Sequence, residues 1–543
     1  MGIPLQIAAV GALSYLLWRV VKARSTPSHW KNIPGPKSDS FLAGHFLALK
    51  SKDSWAFLEN LCSNYGGIVK LQALLGSKFL YVSDPAALYS MFVKEPSSWE
   101  ETPVFLIGNS LLFGAGIAGS SGETHRKQRK LLTPAFAPSH LRQLTPVFLH
   151  VGETLRDAIA AQVRDGPREV NVAAWAGRGA LEIVGQGAMG YSFDPLVDAM
   201  SNDYGIALRQ LLPSVFEVAY HWAFVPLSVY LGPPKFRRWL LNRYPYRKVQ
   251  HLKNVVDTVW NKSIDIVGQR KAALEAGEEA VNAMVGGGKD IMSILLRANM
   301  EASDEDRIPD EQLIAQVNTI VFAASDTTSN SLARILYTLV EHPEAQARLR
   351  EEIIEFRESG DELTYERLVE LPYLHAVCCE TFRVYPTVLS MDREAQNDTV
   401  LPLSQPITDN HGNTINSVPI RKGDKVAIGI HGFNRSKAVW GDDALEWKPE
   451  RWLKSENSAP YAKGALSGGA FYNLMTFAGG PRSCIGFKYA ELEIKTFLFY
   501  LIGSFTFKAG TGKIIWNSSF TVFPSIDKDS MKAEMPLLVE LIR

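Results

Sequence analysis

Residues 309–342, PDEQLIAQVNTIVFAASDTTSNSLARILYTLVEH, constrain this chain more than any other stretch. Apolar residues recur at helical spacing along it, and one helix over 309–342 would run roughly 50 Å, enough to cross a whole globular body. Any fold must be built around such a beam. Its middle, Ser325-Asp326-Thr327-Thr328-Ser329-Asn330, is polar and poor in helix formers. Two readings are open. The run is two helices, the second N-capped by Asp326. Or it is one helix whose hydroxyls bond backbone carbonyls and distort it, opening a groove beside a carboxylate.

Most of the remaining chain is also helical in pattern, with periodic runs at 144–164, 245–275, 343–358 and 485–503. Strand-like runs are short: 67–83, 424–432 and 504–510. The expected class is mainly α with a small β region, without internal repeats or a sustained parallel βαβ alternation. The segment 272–290, AALEAGEEAVNAMVGGGKD, reads as an exposed, mobile connection. Residues 211–234 are apolar enough to suggest a membrane span, but Pro213, Glu217, His221 and Pro226 argue against one. An apolar lid or a membrane-dipping surface fits that segment better.

Charge and cysteine usage exclude several classes. Lys+Arg and Asp+Glu balance at 57 each, so no basic field points to nucleic acid. The four cysteines are too few for a disulfide scaffold, and no CxxC or CxxCH offers a zinc, redox or covalent haem site. GQGAMG (185–190) fits the dinucleotide pattern GxGxxG, but ALEIV before it continues a helical pattern and YSFDPL after it is no helix. Close helix packing explains its glycines better. GGGKD and GTGKI lack the first glycine and the Ser/Thr of a phosphate loop.

The N-terminus carries its own signal. Residues 3–21 are about long enough to span hydrocarbon, and Arg19, Lys22, Arg24 and Lys31 follow the apolar centre rather than precede it. That order leaves the body on the cytosolic side. The segment spans the membrane or lies on its surface as an amphipathic helix. The expected division is a membrane anchor at 1–24, an elbow at 25–40 stiffened by Pro34-Gly35-Pro36, and a catalytic body at 41–543.

Cys484 stands apart from the other cysteines. It follows the turn Gly479-Gly480-Pro481 and precedes a helical run in which Ile485, Tyr489, Leu492, Phe497 and Leu501 share a face. A helix N-terminus favours thiolate over thiol, and the glycines allow a close backbone approach. A soft anionic sulfur without a second cysteine suits a metal that brings its other ligands with it, as haem does.

Phe477-x-x-Gly480-x-Arg482-x-Cys484-x-Gly486 matches the haem-binding signature of the cytochromes P450, the haem-thiolate monooxygenases, and the chain resembles that family from end to end. The resemblance implies the P450 fold, a helical triangular prism behind a single N-terminal anchor, and noncovalent haem b on Cys484. Three further motifs occur in the family's order. Ala323-Ala324-Ser325-Asp326-Thr327 resembles its A/G-G-x-D/E-T motif, with Ala324 in place of the usual glycine. By that resemblance Thr327 stabilises the bound oxygen and Asp326 relays protons. Glu380 and Arg383 match ExxR, and Arg451 in KPERW matches their third partner, all three structural. The run 124–136 resembles the W-x-x-x-R helix, with His125 for tryptophan and Arg129 for arginine; Arg129, Arg393 and Arg482 are then the expected partners of the haem propionates. Segments 103–113, 211–226, 320–324, 387–391 and 520–524 match the family's substrate walls and are largely apolar.

The expectation is a monooxygenase inserting one atom of dioxygen into a lipophilic small molecule. No flavin or nicotinamide site appears in the chain. Electrons from NADPH would therefore arrive through a separate NADPH–cytochrome P450 reductase, at the endoplasmic reticulum membrane. Residues 433–452 look most like fungal members, whose substrates include terpenoids and other secondary metabolites. The rivals are a haem-thiolate isomerase or dehydratase acting on a peroxide without reductase, a nicotinamide dehydrogenase built on 185–190, and a non-catalytic haem protein. The Asp326–Thr327 pair argues against the first.

Overall fold

The structure, a computed structural model, describes residues 29–38, 40–51, 54–197, 203–453 and 469–542, with Ser14, Leu17, Trp18 and Val21 described singly. The anchor expected at 1–24 falls almost wholly outside them. Among the described residues no helix is long and apolar enough to cross a membrane.

The beam is one helix. It runs unbroken over the 32 residues Asp310–Glu341, so the reading of two helices with Asp326 as an N-cap is overturned. Asp310 and Glu311 sit in its first turn, where acidic side chains complement the helix dipole. His342 ends it, because Pro343 opens the next helix, Pro343–Glu358. Leu313, Val317, Val321, Leu332, Ile335, Leu336 and Leu339 are all buried along its length. They pack against Val172–Ile183, Arg247–Ala276 and Phe487–Ile502, which makes this the central helix of the body.

The sheets are short and stand to the side of the helices. Five strands run in the order Ile68–Gln72, Lys78–Val82, Lys425–Gly429, Ser390–Ala395, Trp99–Glu100, with one parallel pairing, Leu80 opposite Val426. The strand expected at 424–432 stops at Gly429, and Ile430–Asn434 is a short helix. Arg168–Asn171 joins Phe505–Ala509 and Pro536–Leu541 in a second sheet. The hairpin Thr399–Thr408/Thr414–Ile420 has no counterpart among the sequence expectations, since its prolines and polar residues hide the two-residue alternation.

Much of the connection at 272–290 is exposed, as expected, but its far end is docked, with Val281, Gly288 and Asp290 buried. Arg270 is 1% exposed and donates to the carbonyls of Met189, Gly190 and Val285, and Asp290 lies 3.4 Å from it. Those carbonyls include two from GQGAMG, which forms a helical turn, Val184–Met189, ending at Gly190 with φ +59°. A Cβ on Gly190 would stand 1.5 Å from Arg270 Nη2. The glycines of this motif therefore serve packing. Downstream, the helix Asp203–Glu217 gives way to a 3₁₀ run, Ala219–Leu231, whose end exposes Val229, Tyr230 and Leu231.

Candidate active site

Cys484 hangs between a strand and a helix. The strand Leu474–Gly479 feeds a single turn, Gly480–Arg482, and the helix Phe487–Ile502 begins three residues after the thiol rather than at 485. Gly480 takes φ +62°, and a Cβ there would approach the Phe92 carbonyl to 2.7 Å, so the turn needs glycine. The Cys484 amide donates to the Phe477 carbonyl at 2.9 Å. Phe477 itself packs on Phe382, Phe471 and Phe487. Burial pushes the Cys484 thiol up, while the Gly486 amide, at the N-cap of the helix, and Arg129 pull it down. Yet the residue is exposed. Dense surroundings and open surface coexist where a side chain faces an internal hollow.

The central helix shows the same combination. Ala323 is exposed in mid-helix between buried Val321 and buried Thr328. Thr328 Oγ1 donates to Glu493 Oε1 at 2.8 Å, tying this helix to the one that follows Cys484. Thr327 Oγ1 donates to the Ala323 carbonyl at 2.7 Å, in the same open zone. Asp326 is partly open, with burial pushing its carboxyl up and hydrogen bonds from Thr521 and Asn330 pulling it down. Thr521 Oγ1 lies 2.6 Å from Asp326 Oδ2.

Cations gather beside the thiol. Arg129 donates to the carbonyl and the hydroxyl of Ser483, at 2.8 and 3.0 Å. Arg482 reaches Glu100 and the carbonyls of Ile117 and Ser120, and Arg393 pairs with Glu101 at 2.7 Å. Glu100, Glu101 and Asp392 thus stand among these three arginines. His125 is buried, and burial together with Arg482 and Arg129 pulls it down to about 4, so at pH 7 it is a neutral imidazole with one N–H to donate and no charge. A thiol facing a hollow, open surface at Ala323 and three arginines gathered beside the thiol fit a haem with its two propionates.

Glu380, Arg383 and Arg451 meet in the interior. Arg383 and Glu380 form a bidentate pair at 2.7 and 2.8 Å, both side chains 0% exposed. Arg383 spends its other donors on the carbonyls of Asn434, Ala444 and Glu446. Arg451, Trp452 Nε1 and the Lys448 amide complete the shell of Glu380. No donor on Arg383 is left over, which is what a buried guanidinium requires. Cys378 and Cys379 are fully buried on the same helix.

Aromatic rings pair between the segments that the sequence assigns to the substrate walls. Phe113 stacks obliquely on Phe322 with centroids 4.7 Å apart, and Trp222 meets Phe520 at 6.4 Å. Gly108 gives Trp222 its seat, since a Cβ there would come within 2.2 Å of the indole. Sequence reasoning placed Thr521 only as part of the wall segment 520–524, without its tie to Asp326, and missed Glu493, Glu100 and Glu101. Only Glu493 left a signal, a charge within the buried face that holds Leu492 and Phe497.

A family model described as cytochrome P450 matches residues 34–526. Cytochrome P450 monooxygenase 212 of Postia placenta is 45% identical over 98% of both chains. A ganoderic acid synthetase of Ganoderma lucidum is 38% identical over 99% of both. A crystal structure of a cytochrome P450 superposes with a TM-score of 0.69, covering 95% of this chain and 100% of its own, at 21% identity, a likeness of fold.

Proposed function

This chain belongs to the cytochrome P450 family, with the monooxygenase activity and haem iron that the family carries, and from that premise we propose a membrane-bound enzyme that oxygenates a lipophilic small molecule. It uses haem b and electrons passed from NADPH by a separate reductase. Residues 1–24 anchor it to the endoplasmic reticulum membrane, with the body cytosolic. Trp239, Phe236 and Tyr230, exposed among Lys235, Arg238 and Arg243, support a second point of membrane contact. The substrate is a terpenoid or another fungal secondary metabolite. That choice draws on the relative named a ganoderic acid synthetase and on the aromatic walls.

The observation that carries this reading is Cys484, a lone thiol open to an interior hollow under a helix N-cap. Cys484 would supply the sulfur ligand to the haem iron, and Phe477, Gly480 and Gly486 shape the loop that presents it. Arg129, Arg393, Arg482 and His125 would hold the propionates, while Ala323 and Ala324 would leave the facing surface flat. Haem, when bound, supplies the activation of dioxygen. Thr327 Oγ1 turns from the Ala323 carbonyl to present a proton in the hollow, and Asp326 restores it. Glu380, Arg383 and Arg451 keep the supporting fold rigid.

The test has two parts. The reduced carbonyl complex should show the red-shifted Soret band of thiolate ligation, absent in Cys484→Ser. Expression with a fungal reductase in a terpenoid-producing host should then give products heavier by one oxygen. A Soret shift that survives in Cys484→Ser ends the reading.

A further inference from the structure

The strands Ile515–Ser518 and Val522–Ser525 form a hairpin that turns at residues 519–521. Its tip serves two places at once. Phe520 faces Trp222 on the wall of the hollow, and the next residue, Thr521, is 7% exposed and donates to Asp326. The tip is held firmly. The Ser519 amide bonds the Thr521 carbonyl at 3.0 Å, and the Val522 amide bonds the Thr387 carbonyl at 2.8 Å. Thr387 in turn shares a hydrogen bond of 2.6 Å with Ser331 of the central helix.

Among the described residues no cation acts on Asp326. The groups that act on its carboxyl are Thr521 from the hairpin and Asn330 from its own helix. Other ionisable side chains nearby are engaged elsewhere. Glu493 faces Thr328, and Arg334 lies flat on the Trp516 ring, 3.3 Å from its centroid, with Tyr385 at 4.5 Å. The direction of the carboxyl is therefore set from outside the helix by a single hydroxyl.

We infer that Thr521 is the positioning residue of Asp326, fixing the acid on the rigid hairpin of the pocket wall so that it faces its task in one orientation. The kinetic meaning of this inference rests on the proposed monooxygenase reading; the contact itself does not. A donor to the ionised carboxyl stabilises that form, so removing it must raise the pH at which Asp326 loses its proton.

The experiment uses the haem-loaded full chain with Thr521→Val and Thr521→Ala, which remove the donor, and Thr521→Ser, which keeps it. Infrared difference titration follows the carboxylic acid C=O band that disappears in Asp326→Asn. In both donorless variants that band should persist to a pH higher by about one unit or more, a tenfold change in proton affinity. Thr521→Ser should restore the wild-type titration. The pH profile of product formed per NADPH should move the same way with KM unchanged. Superimposed titrations of wild type and Thr521→Val overturn the inference, as does failure of Thr521→Ser to restore it. A shifted band without oxygenated product from any form, wild type included, sustains the positioning role and removes the monooxygenase reading instead.

Discussion

Replacing Arg383 by methionine tests what the interior clamp is for. The substitution keeps an unbranched apolar stem but deletes the guanidinium and its five donors. Glu380 retains Arg451, Trp452 and the Lys448 amide, so its charge is not abandoned. The carbonyls of Asn434, Ala444 and Glu446 lose the Arg383 donors. Breaking a buried pair on one side costs about 3–5 kcal/mol, and each buried carbonyl left unpaired costs roughly 1–3 kcal/mol before relaxation. Total stabilities are about 5–15 kcal/mol, so Arg383→Met should leave little folded protein. The double variant Glu380→Met/Arg383→Met carries the sharper test. For a simple ion pair, replacing both partners by apolar groups is often neutral. Here the three carbonyls stay orphaned, so the double variant should recover only part of the loss. The assay is the urea midpoint of haem-loaded protein, followed by tryptophan fluorescence and the Soret band. A double variant with the wild-type midpoint would refute this reasoning and reduce the clamp to an ion pair.

Three other outcomes are expected. Gly190→Ala must place a Cβ on Arg270 Nη2 in a left-handed backbone, and the backbone term alone is about 1–2 kcal/mol, read as a lower urea midpoint. Burial pushes the Glu101 carboxyl up to about 6 despite Arg393, from an ordinary 4.5. A raised acid costs stability as pH climbs through that window, on the order of 2 kcal/mol between pH 4.5 and 6, and nothing further above it. The stability of Glu101→Gln relative to wild type should therefore rise across that window, checked by urea midpoints at both ends. Removing residues 1–30 should release the protein from membranes with its haem spectrum intact; retention in the membrane pellet would place the anchor elsewhere.

The parts of this protein that could be read from sequence are those where one chemical demand fixes residue type and spacing. The central helix was legible because its apolar stripe runs through all of Asp310–Glu341, and only its polar middle raised doubt. Glu380 and Arg383 meet because three residues on a helix bring them to one face. Thr521 could not be found that way. It lies 195 residues from Asp326, on a hairpin whose pairing no local pattern announces. Glu100 and Glu101 were missed for a related reason, since acidic residues are not what a propionate cradle asks for. The docked end of 272–290 was not legible because its glycines look like a linker, while the residue that holds it, Arg270, lies just before the segment.

Why the helix survives its polar middle also bears on the chemistry. Serine and threonine destabilise helices when their hydroxyls compete for backbone partners. Here the competition is settled within the helix. Ser325 returns its hydroxyl to Val321, Thr327 to Ala323, Thr328 to Ala324 and Ser331 to Thr327, each to the carbonyl four residues back. Asp326 takes Thr521 instead, and Thr328 shares its one proton between Ala324 and Glu493. Every hydroxyl is thus satisfied, and the ladder need not open. These bonds differ in one respect. Those of Ser325, Thr328 and Ser331 are at least partly buried, so giving them up would leave carbonyls without water. The bond from Thr327 to Ala323 stands in open space. Exchanging it for a new acceptor in the hollow costs only the net worth of an ordinary hydrogen bond, roughly 0.5–1.5 kcal/mol. Of these back-bonded hydroxyls, Thr327 is therefore the one free to turn, and it turns beside the one carboxyl of the run.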